Sequence, residues 1–270
     1  MSIRRLLRSS VPEPRLASIA EEVTDRFGGS SADYECMDAD NWLSVPCVVD
    51  DQWFVKVIGD QHLLMHALLT TGRNLGAFSS GTEGFFERFS TPLEMAEHEL
   101  TATERMRELG VDAPEPIEAF EREGFGVLVL EYLPAFRTLG ELSPDRTESF
   151  APAVFENLSR MHDAGLGHGD LRAENVLVAP DENGVETLYF IDATHVRAEA
   201  IEDARAYDIA CALASLSPII GPGSAVAAAA SVYSPEELLE AREFLDFVGL
   251  RPDHDFETTL VKGEIEKTAA

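Results

Sequence analysis

Cations are scarce in this chain. Its 270 residues carry 21 Lys and Arg against 49 Asp and Glu, a net charge of −28, and Lys56, Lys262 and Lys267 are its only lysines. A surface this acidic repels nucleic-acid phosphates and anionic lipid at low salt. That argues against direct nucleic-acid binding, while association with a ribonucleoprotein particle stays open. High salt would screen the self-repulsion and keep the chain soluble. Cysteine is scarce too: Cys36, Cys47 and Cys211 are scattered, form neither a disulfide framework nor a metal motif, and are each expected to be structural filler. No apolar run reaches the length of a membrane span. The basic start Arg4-Arg5-Leu6-Leu7-Arg8 is not followed by the apolar core of a signal peptide. No internal repeat is visible. The expectation is a cytoplasmic protein with no membrane partner. Hydrophobic residues at 45% argue for a folded chain rather than disorder, and its length suits one two-lobed unit or two small domains.

What is present concentrates between His168 and Asp192, HGDLRAENVLVAPDENGVETLYFID. Asp170 is followed five positions later by Asn175, and the apolar run Val176-Leu177-Val178 comes next. The turn cluster Asp181-Glu182-Asn183-Gly184 separates it from a β-rich run, Thr187 to Ile191. Asn-Gly between two apolar runs predicts a hairpin, which would return Asp192 to the loop holding Asp170 and Asn175. Two carboxylates and an amide so gathered repel one another unless a hard cation sits among them, and their oxygens suit Mg2+. Phosphoryl transfer from ATP needs such a cluster.

The stretch resembles the catalytic and metal-binding loops of the protein-kinase-like superfamily. The His-x-Asp-x-x-x-x-Asn pattern is His168, Asp170 and Asn175, and Asp192, in Ile191-Asp192-Ala193, stands where that family has the Asp of Asp-Phe-Gly. The resemblance implies that Asp170 orients the attacking hydroxyl or water and that Asn175 and Asp192 hold Mg2+. Arg172 stands where Ser/Thr kinases have a Lys near the γ-phosphate, and its cation would offset charge on the transferring group. Upstream, Trp42–Val49 and Gln52–Ile58 flank Asp50-Asp51 as a second predicted hairpin, with Lys56 in mid-strand. A buried lysine needs an anionic partner. In kinase-like proteins the matching Lys contacts the α- and β-phosphates and pairs with a helix Glu, for which Glu99 is chosen and Glu97 is the fallback. Glu131-Tyr132-Leu133 after an apolar strand resembles a hinge, which implies adenine contacts through the C=O of Glu131 and the N–H of Leu133. Tyr207-Asp208 resembles the start of the helix that anchors the catalytic loop, with Asp208 accepting backbone N–H bonds.

The remaining elements follow from pattern. Helices are predicted from about Pro14 to Phe27, from Gln61 to Leu69, from Pro92 to Gly110, from Phe150 to Gly165 and from about Glu202 to Leu216. Thr91 with Glu94, and Ser234 with Glu237, read as capping boxes, the second opening a helix that runs to Gly249. Strands are predicted at Ile117–Phe120 and Phe125–Leu130. Residues 70–89 are a long Gly- and Ser-rich loop, either a cover over nucleotide or substrate or an insertion. Gly221-Pro222-Gly223 is expected to break the chain, and Asp253–Ala270 to end in a helix or a tail.

Four features depart from ordinary Ser/Thr kinases. No Gly-x-Gly-x-x-Gly precedes Lys56, and Asp38 and Asp40 lie near that turn; Gly169 replaces Arg after His168; Ala193-Thr194 replaces Phe-Gly; and only fifteen residues separate Asp192 from Asp208. The last leaves little room for an activation loop. These departures resemble RIO-type kinases, the small archaeal KEOPS kinase, or aminoglycoside-type phosphotransferases, and Glu108-Leu109-Gly110-Val111 favours the first two. The acid-rich, Lys-poor composition resembles that of proteins from salt-loving archaea. The expected fold is α+β, two-lobed and protein-kinase-like: an N-terminal helical extension (1–31), a β-rich N-lobe (32–133) with an insertion at about 59–91, and a helical C-lobe (134–270). The expected activity is transfer of the ATP γ-phosphate with Mg2+ to an alcohol group, as in an atypical RIO-like serine/threonine protein kinase, with ATP bound in the cleft. Three other readings stay open: an aminoglycoside-type small-molecule phosphotransferase, an ATPase-type assembly factor, and a pseudokinase that only binds partners. The acceptor, protein or small molecule, is not named by the sequence.

Overall fold

A computed structural model describes residues 11–37, 43–67, 70, 89–181, 183–193, 200–251 and 253–270. The expectations for the basic start, for Asp38 and Asp40, and for nearly all of the 70–89 loop therefore lie outside the described residues. The chain is a mixed α+β protein, with an antiparallel sheet in its N-terminal part and helices in its C-terminal part. It divides into two compact units. Described residues within Met1–Thr71, Arg88–Glu104 and Pro114–Pro134 form the first, and those within Arg105–Ala113 and Ala135–Ala270 form the second.

The first unit opens with helix α1, Glu13–Phe27, and then strands β1 (Tyr34–Cys36), β2 (Val45–Val49) and β3 (Trp53–Ile58). Helix α2 (Pro92–Glu108) and strands β4 (Pro116–Arg122) and β5 (Phe125–Glu131) follow, in the sheet order β1-β2-β3-β5-β4. Every pair is antiparallel, so side chains alternate between two buried faces. Val55, Val57, Val127 and Val129 pack with Leu16, Ile19, Ala20 and Val23 of α1. Phe54, Ile58, Leu128 and Leu130 pack with Met95, Ala96 and Leu100 of α2. Period two places Lys56 on the α2 face, between Phe54 and Ile58. At Gly126 any Cβ would collide with the backbone of Pro92, so this glycine lets the start of α2 close onto β5. The N-terminus of α2 is capped by Thr91 Oγ1, which accepts the Glu94 N–H at 3.0 Å, while the Glu94 carboxylate accepts from the N–H of Ser90 at 2.7 Å rather than from Thr91. Residues 60–67 are helical, overlapping the expected Gln61–Leu69 segment.

One expectation fails in this unit. Cys36 and Cys47 are not filler but form a disulfide. They are register partners across β1 and β2, which places the two side chains on the same face of the sheet. The pattern reading missed β1, which is only three residues long, and so had no strand on which to place Cys36. Cys211 is free and buried, as expected.

The second unit holds β6 (Arg137–Thr138), α3 (Pro144–Asp163), β7 (Val176–Pro180), β8 (Glu186–Phe190), and α4 (Ile201–Ile220), α5 (Pro222–Ala230), α6 (Pro235–Val248) and α7 (Thr258–Thr268). The sheet order is β6-β7-β8. Helix α4 is buried on nearly all sides and packs against α3, α5 and α6. Gly221-Pro222-Gly223 interrupts the helix as expected, but by a single residue: α4 ends at Ile220 and α5 begins at Pro222. Gly221 takes a positive φ of 85° and Pro222 occupies the first turn of α5, where a missing N–H costs nothing. Ser234 caps α6 in the predicted box, its N–H donating to Glu237 at 2.8 Å. Among the described residues no helix is long and apolar enough to cross a membrane.

Candidate active site

In the first unit Lys56 is 3% exposed, and its Nζ donates to the carboxylate of Glu99 on α2. Glu97, the fallback partner, is exposed. The strand period turns Lys56 inward and the helix carries Glu99 over it, so a buried cation meets the anion it requires. Glu131 ends β5 opposite Trp53. Its N–H donates to Glu115 C=O at 2.8 Å, its carboxylate accepts the Glu115 N–H at 3.0 Å, and the Tyr132 N–H donates to Gln52 C=O at 3.1 Å. The adenine contacts implied for the Glu131 C=O and the Leu133 N–H use other atoms than these. The Leu133 side chain is buried.

In the second unit the loop between α3 and β7 is held from beneath by α4. Asp208, fully buried, accepts the N–H of His168 and the N–H of Gly169, each at 2.7 Å, and lies 3.1 Å from His162 Nε2. Gly169 has φ 77°, where a glycine carries no steric cost. His168 is wholly buried, and burial pushes its pKa down, so it stays neutral. Its Nδ1 accepts the Asp170 N–H at 3.4 Å. Asn175 Nδ2 donates to the Asp170 C=O at 2.9 Å, and Asn175 Oδ1 accepts from Arg172 Nη2 at 3.3 Å. The hairpin runs as expected from the turn cluster, with Val176 opposite Phe190, and the Ile191 N–H donates to Asn175 C=O at 3.1 Å. Asp192 is therefore the next residue beyond a direct backbone link to Asn175. It adopts φ 64°, a left-handed conformation that Asp tolerates better than most residues and that concentrates at functional sites.

Arg172 lies 3.8 Å by Nε from the carboxylates of both Asp170 and Asp253. Burial opposes its charge, but Asp170, Asp253, Asp192 and Glu174 outweigh that and hold its pKa above the ordinary value. The sequence reading missed one participant altogether. Arg251, from the connection between α6 and α7, donates through Nη2 to Asp170 Oδ1 at 2.6 Å. Asp253 pairs with the same guanidinium, and His254 is buried alongside. No periodicity marks this connection, and a single arginine in a polar stretch carries no signal of burial.

The donor set suits Mg2+. Asn175 commits its Nδ2 to Asp170, its Oδ1 accepts from Arg172 and keeps a second lone pair for a hard cation, and Asp192 supplies a carboxylate. Mg2+ is bound by one or two such oxygens together with substrate phosphates and water, rather than by an all-protein cage. Correspondingly, the described residues contain no cluster of three or more His, Cys, Asp or Glu able to hold a metal by themselves.

Residues 85–210 match the family model described as the lipopolysaccharide kinase (Kdo/WaaP) family. The match includes Glu99, Asp170, Arg172, Asn175, Asp192 and Asp208, and excludes Lys56 and Arg251. No curated protein matches the chain. Solved structures to which the chain is similar include a mutant form of the Mycobacterium tuberculosis PknI kinase domain, 13% identical, covering 90% of this chain and 98% of that one at a TM-score of 0.41. WbdD is another, 14% identical, covering 87% of this chain and 45% of that one at a TM-score of 0.37. The family match supports a kinase-like protein and phosphoryl transfer in general. It gives no support to the RIO-type or haloarchaeal part of the sequence resemblance.

Proposed function

We propose that this chain transfers the γ-phosphate of ATP, taken as its Mg2+ complex, to an alcohol oxygen. The observation that supports this best is the second unit's loop. Asp170, Asn175 and the strand leading to Asp192 are tied together at Asn175, whose Nδ2 donates to the Asp170 C=O and whose C=O accepts the Ile191 N–H, and the loop backbone is fixed by Asp208. Asp170 orients the acceptor hydroxyl and takes its proton as the bond to phosphorus forms. Arg172 offsets charge on the transferring group. Lys56, held by Glu99, supplies the cation for the nucleotide phosphates, and the backbone of Glu131 and Leu133 meets adenine. Asn175 and Asp192 would hold Mg2+, which when bound neutralises phosphate charge.

The acceptor we favour is a carbohydrate hydroxyl, because the matched family is named for lipopolysaccharide kinases. A second reading is a RIO-like protein serine or threonine, which Glu108-Leu109-Gly110-Val111 and the short segment after Asp192 favour. Incubation with γ-labelled ATP, Mg2+ and two acceptor panels, saccharides including acidic sugars on one side and unfolded protein on the other, separates them. Asp170→Ala is expected to lower transfer by roughly 100-fold or more while ATP affinity changes little. Wild-type transfer by that variant would sink the assignment.

A further inference from the structure

The Arg251 guanidinium is anchored on several sides. Nη1 donates to the Tyr207 hydroxyl, Nε donates to Asp253 Oδ1 at 3.0 Å, and Nη2 reaches both Asp253 and Asp170. Its backbone is fixed as well, with the Arg251 N–H donating to Val248 C=O at 3.0 Å and its C=O accepting the His254 N–H at 3.3 Å. The residue is 8% exposed. Tyr207 is the neighbour of Asp208, so one turn of α4 grips the loop twice. Asp208 holds the backbone of His168 and Gly169, and Tyr207 holds the arginine that holds the Asp170 side chain.

We propose that Arg251 is the positioning residue for Asp170: by bonding Oδ1 it fixes the carboxylate rotamer that the acceptor hydroxyl meets. The inference rests on the reading of Asp170 as the residue that orients the acceptor. Arg251 makes no bond to the reacting atoms. Its effect passes through the angle of one carboxylate, and a small misplacement at such a point is costly to a reaction that depends on alignment. Lysine cannot replace it, because a single ammonium does not reach Asp170, Asp253 and Tyr207 in one fixed plane.

The test measures phosphate released from Mg-ATP by the full chain and by Arg251→Ala, Arg251→Lys, Tyr207→Phe and Asp170→Asn, with folding checked by circular dichroism. Arg251→Ala is expected to lose about 10- to 100-fold in kcat with KM for ATP within about twofold. Millimolar guanidinium should recover part of the loss, and Arg251→Lys should recover little. Tyr207→Phe, which removes one anchor of the guanidinium without touching Asp170, should lose about threefold or more in kcat and so decides the matter if Arg251→Ala does not fold. A folded Arg251→Ala, or failing that Tyr207→Phe, that works at the wild-type rate or faster overturns the proposal. If Asp170→Asn is inactive and Arg251→Ala is not impaired, the positioning role alone fails. If Asp170→Asn is as active as wild type, or the wild type neither hydrolyses nor transfers, the functional reading fails and the inference with it.

Discussion

Asp208 Oδ2 accepts the backbone N–H of His168 at 2.7 Å, across 40 positions of sequence. The bond is fully buried, and its twin from Gly169 makes one carboxylate the floor of the loop that carries Asp170. A backbone held in this way lets the side chains above it be placed by chemistry rather than by packing.

Asp208→Ala should be among the most damaging single changes. It strands two buried N–H groups and removes a partner of His162, at about 1–3 kcal/mol for each unsatisfied group. Urea unfolding should show a loss of at least about 3 kcal/mol. Phosphate transfer should fall further than stability at the assay temperature explains.

Lys56 and Glu99 form a buried ion pair, with side chains 4% and 12% exposed. Removing one partner takes the ion pair from a buried charge, at about 3–5 kcal/mol. Lys56→Met and Glu99→Leu should each destabilise the chain by more than the double variant does. A chemical-denaturation cycle measures this coupling, and additive losses would contradict the pairing.

His254 provides a pH signature. Burial first, and then Arg251, push its pKa down to about 4 from 6.5. The folded state therefore binds this proton less readily than the unfolded chain, so stability is complete above about pH 6.5 and is lost as pH falls towards 4. The loss reaches up to about 3 kcal/mol. Melting curves of His254→Gln should be flatter across that window than those of the wild type.

The Cys36–Cys47 disulfide closes a short loop, with a sequence separation of 11, which corresponds to about 2–3 kcal/mol of stabilisation. Thiol titration of the denatured chain should find one free thiol without reductant and three with it. Cys36→Ser with Cys47→Ser should lower the melting temperature to that of the reduced wild type. Such bonds persist mainly in oxidising compartments, so the pair bears on the expected cytoplasmic setting.

The legible parts of the molecule were those whose chemistry repeats at short range. Asp170, Asn175 and Asp192 are joined by one hairpin, and Asn183-Gly184 announces its turn. Lys56 stood out because a mid-strand lysine conflicts with its neighbours, and the structure gives it the anion that conflict demands. Asp208 was visible through its neighbour and its distance from the loop. What escaped depended on tertiary placement. Arg251 reaches Asp170 from 81 positions away, through an irregular connection with no pattern. Cys36 pairs with Cys47 only because a three-residue edge strand sets their register. Helix α5 was hidden by a Gly-Pro-Gly run that reads as a break and, besides ending α4, serves as a start.

Helix α6 touches none of the reacting groups, yet its residue count is constrained as tightly as theirs. It is fixed at one end by the Ser234 cap, and at the other Arg251 hangs from the Val248 carbonyl. One inserted residue would advance that end by about 1.5 Å and swing it by about 100°, carrying the arginine off Asp170. Substitutions along the exposed side of α6 should accumulate freely in evolution, whereas insertions and deletions there should be purged. In close relatives, the gap pattern of this helix would then report on catalysis more faithfully than its amino acids do.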